Sequence, residues 1–146
     1  MTMTAQVKWV DGMRFIGGSG SGHGMIMDGS ASPDGEISLG ASPMETVLIG
    51  MGGCATYDIV HILGKMRLAF DDVSVELSAE RAPEPPRVFT KIHALFTVVG
   101  EVPQAKAEEA ARLSIEKYCS ASQMLGKTAE ITHEVLVIPG RTGDDG

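Results

Sequence analysis

The chain is poor in cysteine, in aromatic residues and in positive charge. Its two cysteines, Cys54 and Cys119, lie 65 residues apart, which fits neither a disulfide-rich secreted domain nor a zinc motif of closely spaced pairs. Twelve Lys and Arg against nineteen Asp and Glu give a net charge of −7. Because such a field repels phosphate backbones, we expect no nucleic-acid partner. Seven aromatic residues among 146 predict an aliphatic core.

Signals for export, membrane insertion and domain division are also missing. No apolar run followed by a small-residue cleavage site lies near residue 1, so we expect no secretory signal and a cytoplasmic location. The most apolar stretch, 47–66, carries Asp58, His61 and Lys65, which are costly in hydrocarbon, so we expect a buried helix and no membrane partner. Without a repeat or a linker, the sequence predicts one domain over residues 1–146.

Periodicity predicts three strands, a long helix, two strands, a helix pair and a last strand. The predicted ranges are 6–10, 14–17 and 25–27 for the first strands, 43–66 for the long helix, 73–80 and 87–99 for the next strands, 103–118 and 120–127 for the helix pair, and 131–138 for the last strand. This order predicts an α+β fold in which helices cover largely antiparallel sheets.

The long helix has a clear start and an unusual interior. Ser42 at the N-cap, Pro43 at the first helical position and Glu45 reaching back form the pattern of a capping box. Glycines at 50, 52 and 53 weaken a helix, so we expect close approach of another backbone there. A helix of this length exceeds what so small a monomer buries, which predicts a homodimer.

The glycine-rich segment 17–24 has the spacing of a phosphate-binding loop. Such a loop needs a helix directly after it, whereas Met25-Ile26-Met27 has the pattern of a strand. We therefore interpret 17–24 as a flexible loop.

Cys54 and Cys119 allow two interpretations from the residues alone. A lone cysteine is most often an inert core residue, but Gly52 and Gly53 remove bulk beside Cys54 and would let the element carrying Cys119 approach. Asp58 and His61 share a helix face with Cys54, as in a cysteine hydrolase. Seven residues of helix separate Cys54 from His61 by about 10 Å, which is too far for a hydrogen bond. We therefore expect His61 to pair with Asp58.

The remaining histidines, His23, His93 and His133, fall on separate elements. Their spacing does not match a ligand set, so we expect neither a metal nor a cofactor.

Two segments resemble a known family. The run Ser42-Pro43-Met44-Glu45-Thr46-Val47-Leu48-Ile49-Gly50-Met51-Gly52-Gly53-Cys54, with Glu116-Lys117-Tyr118-Cys119-Ser120 further on, resembles the OsmC/Ohr family of osmotically inducible and organic-hydroperoxide-resistance proteins. The opening Val7-Lys8-Trp9-Val10 and the Ser-Gly-His segment at 21–23 are similar to its OsmC-like branch.

The resemblance implies an intertwined homodimer with long central helices wrapped by sheets, and a thiol-dependent peroxidase that reduces organic hydroperoxides in stress defence. By this likeness Cys54 is peroxidatic and Cys119 resolving, and an external dithiol of lipoyl type regenerates the thiols. Peroxidase members use a Glu and an Arg to stabilise the thiolate, for which Glu45 and Arg14 are the candidates here. The alternative is a non-catalytic dimer that binds a small apolar ligand or senses redox state.

Overall fold

The computed structural model describes residues 2–29 and 37–140. The chain divides into two compact units, Met1–Ile49 and Gly50–Gly146. The single domain over residues 1–146 therefore stays a prediction. The elements in chain order are β1 (Ala5–Asp11), β2 (Arg14–Ser19), β3 (Gly24–Asp28), α1 (Pro43–Lys65), β4 (Asp72–Arg81), β5 (Phe89–Val99), α2 (Gln104–Leu113), a π-helical segment (Ser114–Tyr118), α3 (Ser120–Leu125) and β6 (Glu130–Ile138). This order confirms the predicted α+β class.

The first unit contains a three-stranded antiparallel sheet in the order β1-β2-β3. A tight turn at Gly12, whose φ of 48° suits glycine, joins β1 to β2. The flexible loop predicted over 17–24 is wrong at both ends, because β2 runs to Ser19 and β3 begins at Gly24. As the central strand, β2 bonds neighbours on both sides, and this pairing outweighs the loop preference of its glycines.

The start of α1 confirms the predicted capping box. The Ser42 backbone N–H donates to the Glu45 carboxylate at 2.8 Å, and the Glu45 N–H donates to the Ser42 hydroxyl at 3.2 Å. Two orphan donors of the first turn are thereby satisfied.

The second unit contains the sheet β4-β5-β6. The strands β4 and β5 pair antiparallel, whereas β6 pairs with β5 in parallel after the crossover through α2 and α3. Antiparallel pairing thus describes three of the four strand pairs. The core side chains of β5 alternate along the strand: Ile92, Ala94, Phe96 and Val98.

One of the three central glycines of α1 shows the expected close approach. A Cβ added to Gly52 would lie 2.7 Å from Leu77 Cδ1 and 3.4 Å from Val75 Cγ1, both on β4. The neighbours are thus side chains of a strand rather than another backbone. Gly50 and Gly53 have nothing within 4 Å of such a Cβ among the described residues.

Among the described helices, only α1 has the length and apolar composition of a membrane span. Core helices of soluble proteins share these properties. Within the second unit, α1 packs through Gly52 on β4 and bonds through its Ala55 carbonyl to the π-helical segment. Its apolar window is 28% buried, so the buried helix expected from the sequence is covered on one face only.

Candidate functional site

The second unit brings its two cysteines together. Cys54 lies on α1 and is half-buried, whereas Cys119 is fully buried between the π-helical segment and α3. The two sulfurs and a carboxylate oxygen of Asp58 all lie within 4.8 Å of one another. Asp58 follows Cys54 by four residues, which places both side chains on one face of α1. This confirms the proximity of the thiols, while their catalytic roles stay predictions.

Cys119 is held by its own backbone and by its sulfur. Its N–H donates to the Ser114 carbonyl at 2.7 Å, which closes the π-helical segment, and its Sγ accepts from the Ser122 N–H at 3.4 Å. Cys119 thereby serves as the N-cap of α3. Burial raises the pKa of its thiol above the ordinary value, and the bond from Ser122 opposes that effect.

A buried hydroxyl ties this segment to α1. Ser114 Oγ donates to the Ala55 carbonyl oxygen at 2.9 Å, and neither residue is exposed. Ala55 is the residue after Cys54, so the bond fixes the helix backbone beside one sulfur to the segment that precedes the other. Sequence reasoning missed Ser114, because its role depends on a contact between residues 59 positions apart.

One carboxylate oxygen of Asp58 has no hydrogen-bond partner. Its Oδ2 atom is buried without a hydrogen-bond partner, and no ion pair to Asp58 occurs among residues 2–29 and 37–140. Burial raises the pKa of Asp58, and the charge of His61 lowers it by less. The expected pairing of His61 with Asp58 is limited to this charge interaction. No ion pair joins the two among residues 2–29 and 37–140, and the His61 ring stacks on Tyr57, with centroids 6.4 Å apart.

A cavity of about 470 Å³ opens beside Asp58. Its walls combine apolar groups with a few polar ones: Asp58, His61, Ile62, Lys65, Met66, Leu113 and Tyr118. The volume is large enough for a small organic molecule.

The two remaining predicted site residues have local partners within the first unit. Arg14 donates from Nε to Asp28 Oδ2 at 3.1 Å and from a terminal nitrogen to Asp11 Oδ1 at 3.3 Å. The bonds to Asp11 and Asp28 raise the pKa of Arg14. Glu45 is engaged in the capping box, and no ion pair joins it to Arg14 in the described part of the chain. Their predicted roles toward the thiolate stay predictions.

The other histidines form their own contacts away from the thiols. His93 bonds Thr132 at 2.7 Å, and His133 lies 3.9 Å from a Glu116 oxygen. In the described ranges, the group formed by Cys54, Asp58 and Cys119 is the one cluster with metal-ligand spacing.

A family model and a relative of known sequence both match most of the chain. A family model described as OsmC-like protein matches residues 33–134. Protein YhfA of Escherichia coli strain K12 is 44% identical over 137 residues, which cover 93% of this chain and 98% of YhfA.

Solved structures share the architecture. A hypothetical protein from Aquifex aeolicus VF5 has 27% identity and a TM-score of 0.78, with 94% of this chain and 98% of that one covered. An organic hydroperoxide resistance protein OsmC from Legionella pneumophila, also described as a predicted redox protein, has 18% identity and a TM-score of 0.70, with 94% and 98% covered. At 18% identity the likeness concerns the fold alone.

Proposed function

The chain belongs to the OsmC-like protein family, and on this premise we propose that it is a thiol-dependent peroxidase that reduces organic hydroperoxides through Cys54 and Cys119. The observation that carries the proposal is the distance between the two sulfurs, at most 4.8 Å. Two free thiols so close, on separate segments tied by the Ser114 bond, need only a small movement to form a disulfide.

The difference in burial supports the roles that we propose for the two cysteines. Cys54 is half-buried and so within reach of a substrate, whereas Cys119 has no exposed surface. Cys54 attacks as the thiolate, the peroxide O–O bond breaks, and an alcohol leaves while Cys54 becomes a sulfenic acid. The Cys119 sulfur then attacks the Cys54 sulfur, the S–O bond breaks, and water leaves with the Cys119 proton. One hydroperoxide thus yields one alcohol, one water and one disulfide.

The proposal includes partners and a location. A disulfide returns to two thiols by exchange with an external dithiol, which would be maintained in the cytoplasm. Apolar walls of the cavity at Ile62, Met66 and Leu113 favour a hydroperoxide with an apolar tail. The resemblance assigns Arg14 and Glu45 to stabilising the thiolate. The proposal itself depends on the two sulfurs alone.

A homodimer is part of the same proposal. Apolar side chains of α1 are exposed in each unit: Val47 and Ile49 in the first, Tyr57 and Val60 in the second. Tyr57 is 72% exposed, which is unusual for a ring in the middle of a core helix. Light scattering of the wild type should give twice the chain mass, and Tyr57→Lys should shift the population towards monomer.

The test of the peroxidase is consumption of an alkyl hydroperoxide by purified protein with excess dithiol. We expect catalytic turnover by the wild type and a loss of at least about 100-fold in Cys54→Ser, since the nucleophile is removed. Cys54→Ser, checked by circular dichroism, also controls for direct reaction of the dithiol with the peroxide. Equal rates in the two proteins would overturn the proposal.

A ligand-binding or redox-sensing protein is the second candidate, and the cavity of about 470 Å³ favours it. Mass spectrometry after one equivalent of hydroperoxide separates the two functions. Two unchanged thiols support the ligand-binding protein. A Cys54–Cys119 disulfide formed within minutes fits a peroxidase or a redox sensor, and catalytic turnover with excess dithiol then supports the peroxidase.

A further inference from the structure

We propose that reduced Cys54, Asp58 and Cys119 form a binding site for one soft or borderline divalent cation, with Zn²⁺ as the representative ion. The site uses the same thiols as the proposed peroxidase but does not require it. The proposal rests on the kind of donor atoms, on their spacing and on the Asp58 oxygen that lacks a hydrogen-bond partner.

The spacing of the donors suits a small cation. Three atoms that are mutually within 4.8 Å have a central point no more than about 2.8 Å from each, which is the side of an equilateral triangle divided by √3. Zinc lies about 2.3 Å from thiolate sulfur and about 2.0–2.2 Å from carboxylate oxygen. Each donor therefore needs to move by less than about 1 Å.

The carboxylate supplies an independent argument. Asp58 Oδ2 is buried without a hydrogen-bond partner, and no Lys or Arg forms an ion pair with Asp58 among the described residues. A buried carboxylate oxygen without a donor is costly, and such oxygens in proteins are usually satisfied. A cation between Asp58 and the two sulfurs would remove this cost.

The kind of donor selects the metal. Two sulfurs and one oxygen favour Zn²⁺ and similar thiophilic ions over Mg²⁺ and Ca²⁺, which prefer all-oxygen sites. Three protein ligands leave the fourth tetrahedral position open, as in catalytic zinc sites. Asp58 also lines the cavity, so water can complete the coordination.

The surroundings hold two of the donors in place. The Ser114 bond to Ala55 fixes α1 beside Cys54, and the Cys119 N–H bond to Ser114 fixes the backbone of the second thiol. A preorganised donor pair lowers the cost of metal binding.

If the proposed peroxidase is correct, metal and hydroperoxide compete for the same sulfurs. Binding of one Zn²⁺ to the two thiols releases two protons, because both sulfurs coordinate as thiolates. One hydroperoxide with two protons then converts the zinc-bound dithiolate to a disulfide, releasing Zn²⁺, an alcohol and water. The metal would therefore occupy the reduced thiols until hydroperoxide oxidises them and releases it.

The test is a Zn²⁺ titration of reduced full-length protein in competition with a chromophoric chelator. We expect one ion per chain in the wild type. Cys119→Ser should weaken binding by at least about 100-fold and Asp58→Asn by about tenfold or more, as losses of direct ligands. Asp72→Asn, at the exposed start of β4, is the matched control and should bind like the wild type.

A second measurement uses the wild type alone, so it does not depend on the folding of any variant. One equivalent of Co²⁺ should produce the near-ultraviolet charge-transfer absorption of cobalt bound to thiolate, and oxidation of the thiols should abolish it. Binding well below one ion per chain, absence of this absorption, or wild-type affinity in a folded Asp58→Asn variant would each overturn the inference.

The outcomes also separate the two proposals. Hydroperoxide reduction in metal-free protein that binds no Zn²⁺ would overturn the metal site alone. Stoichiometric Zn²⁺ binding without hydroperoxide reduction would overturn the peroxidase alone.

Discussion

Each unit of the molecule buries a carboxylate oxygen, and the two oxygens differ in their hydrogen bonds. In the first unit, Asp28 has a side chain with no exposed surface, and its Oδ2 accepts from Arg14 Nε and from the Leu39 N–H. In the second unit, Asp58 Oδ2 is buried and accepts from no donor in the described ranges, and a carboxylate oxygen of Asp58 lies within 4.8 Å of the sulfurs of Cys54 and Cys119.

The difference separates structural polar groups from functional ones. A buried carboxylate with a guanidinium and a backbone donor fixes the conformation of a sheet and a loop. A buried carboxylate left without a donor raises the energy of the unliganded state, and proteins retain such groups mainly where something binds or reacts. This contrast supports the proposal that the reactive chemistry involves Asp58 and the thiols.

Among variants that keep Cys54, the largest expected effect on turnover is that of Cys119→Ser. The first oxidation at Cys54 remains possible, but no second thiol completes the disulfide, so steady-state reduction of an alkyl hydroperoxide should fall at least about tenfold. A sulfenic-acid-specific label should then accumulate on Cys54. Undiminished turnover with no label would show that the thiols do not act as a pair.

Arg14→Ala tests the satisfied carboxylate. Loss of the guanidinium leaves Asp28 with fewer donors, so the melting temperature should fall by several degrees. The hydroperoxide rate of the folded variant should change by less than tenfold. A larger fall in rate, with the folded fraction checked by circular dichroism, would show that Arg14 stabilises the thiolate. The contrast between a structural Asp28 and a functional Asp58 would then fail.

Ser114→Ala tests the bond that holds the thiol segments together. Removal of one buried hydrogen bond should lower the free energy of unfolding by about 0.5–1.5 kcal/mol in urea titrations. The matched control is Ser120→Ala, at an exposed position of α3, which should cost little or nothing. Equal losses in the two variants would mean that the bond to Ala55 contributes nothing specific.

The smallest effect is expected for Glu45→Gln. Glutamine also completes a capping box, so the free energy of unfolding should stay within about 0.5 kcal/mol, whereas Ser42→Ala should cost about 1 kcal/mol. We expect the hydroperoxide rate of Glu45→Gln to stay within about threefold. A tenfold loss at unchanged stability would show that the Glu45 charge acts beyond the helix cap.

Local signals made most of the fold predictable from the sequence. The capping pattern of Ser42 and Glu45 located the start of α1, and alternation located β4 within one residue at each end. These features depend on neighbours along the chain. The strand character of residues 18 and 19 was missed, because it arises from pairing of β2 on both sides. The parallel pairing of β6 was missed for the same kind of reason.

The site was predictable in its residue types but not in its arrangement. Helical spacing placed Cys54 and Asp58 on one face of α1. The site is completed by Cys119, which lies on a segment distant in sequence. His61, the expected partner of Asp58, acts on it through its charge without a hydrogen bond, and its ring stacks on Tyr57. Whether His61 contacts Tyr57 or Asp58 depends on the side chains packed around it, and helical spacing alone does not predict that packing.

The π-helical segment has a consequence for related sequences. Deleting one residue between Ser114 and Tyr118 would restore an ordinary α turn and rotate everything downstream by about 100° with a shift of about 1.5 Å. Cys119 would then point away from α1, although both cysteines would still be present. The length of this segment is therefore a better marker of paired thiols in a relative than the presence of two cysteines.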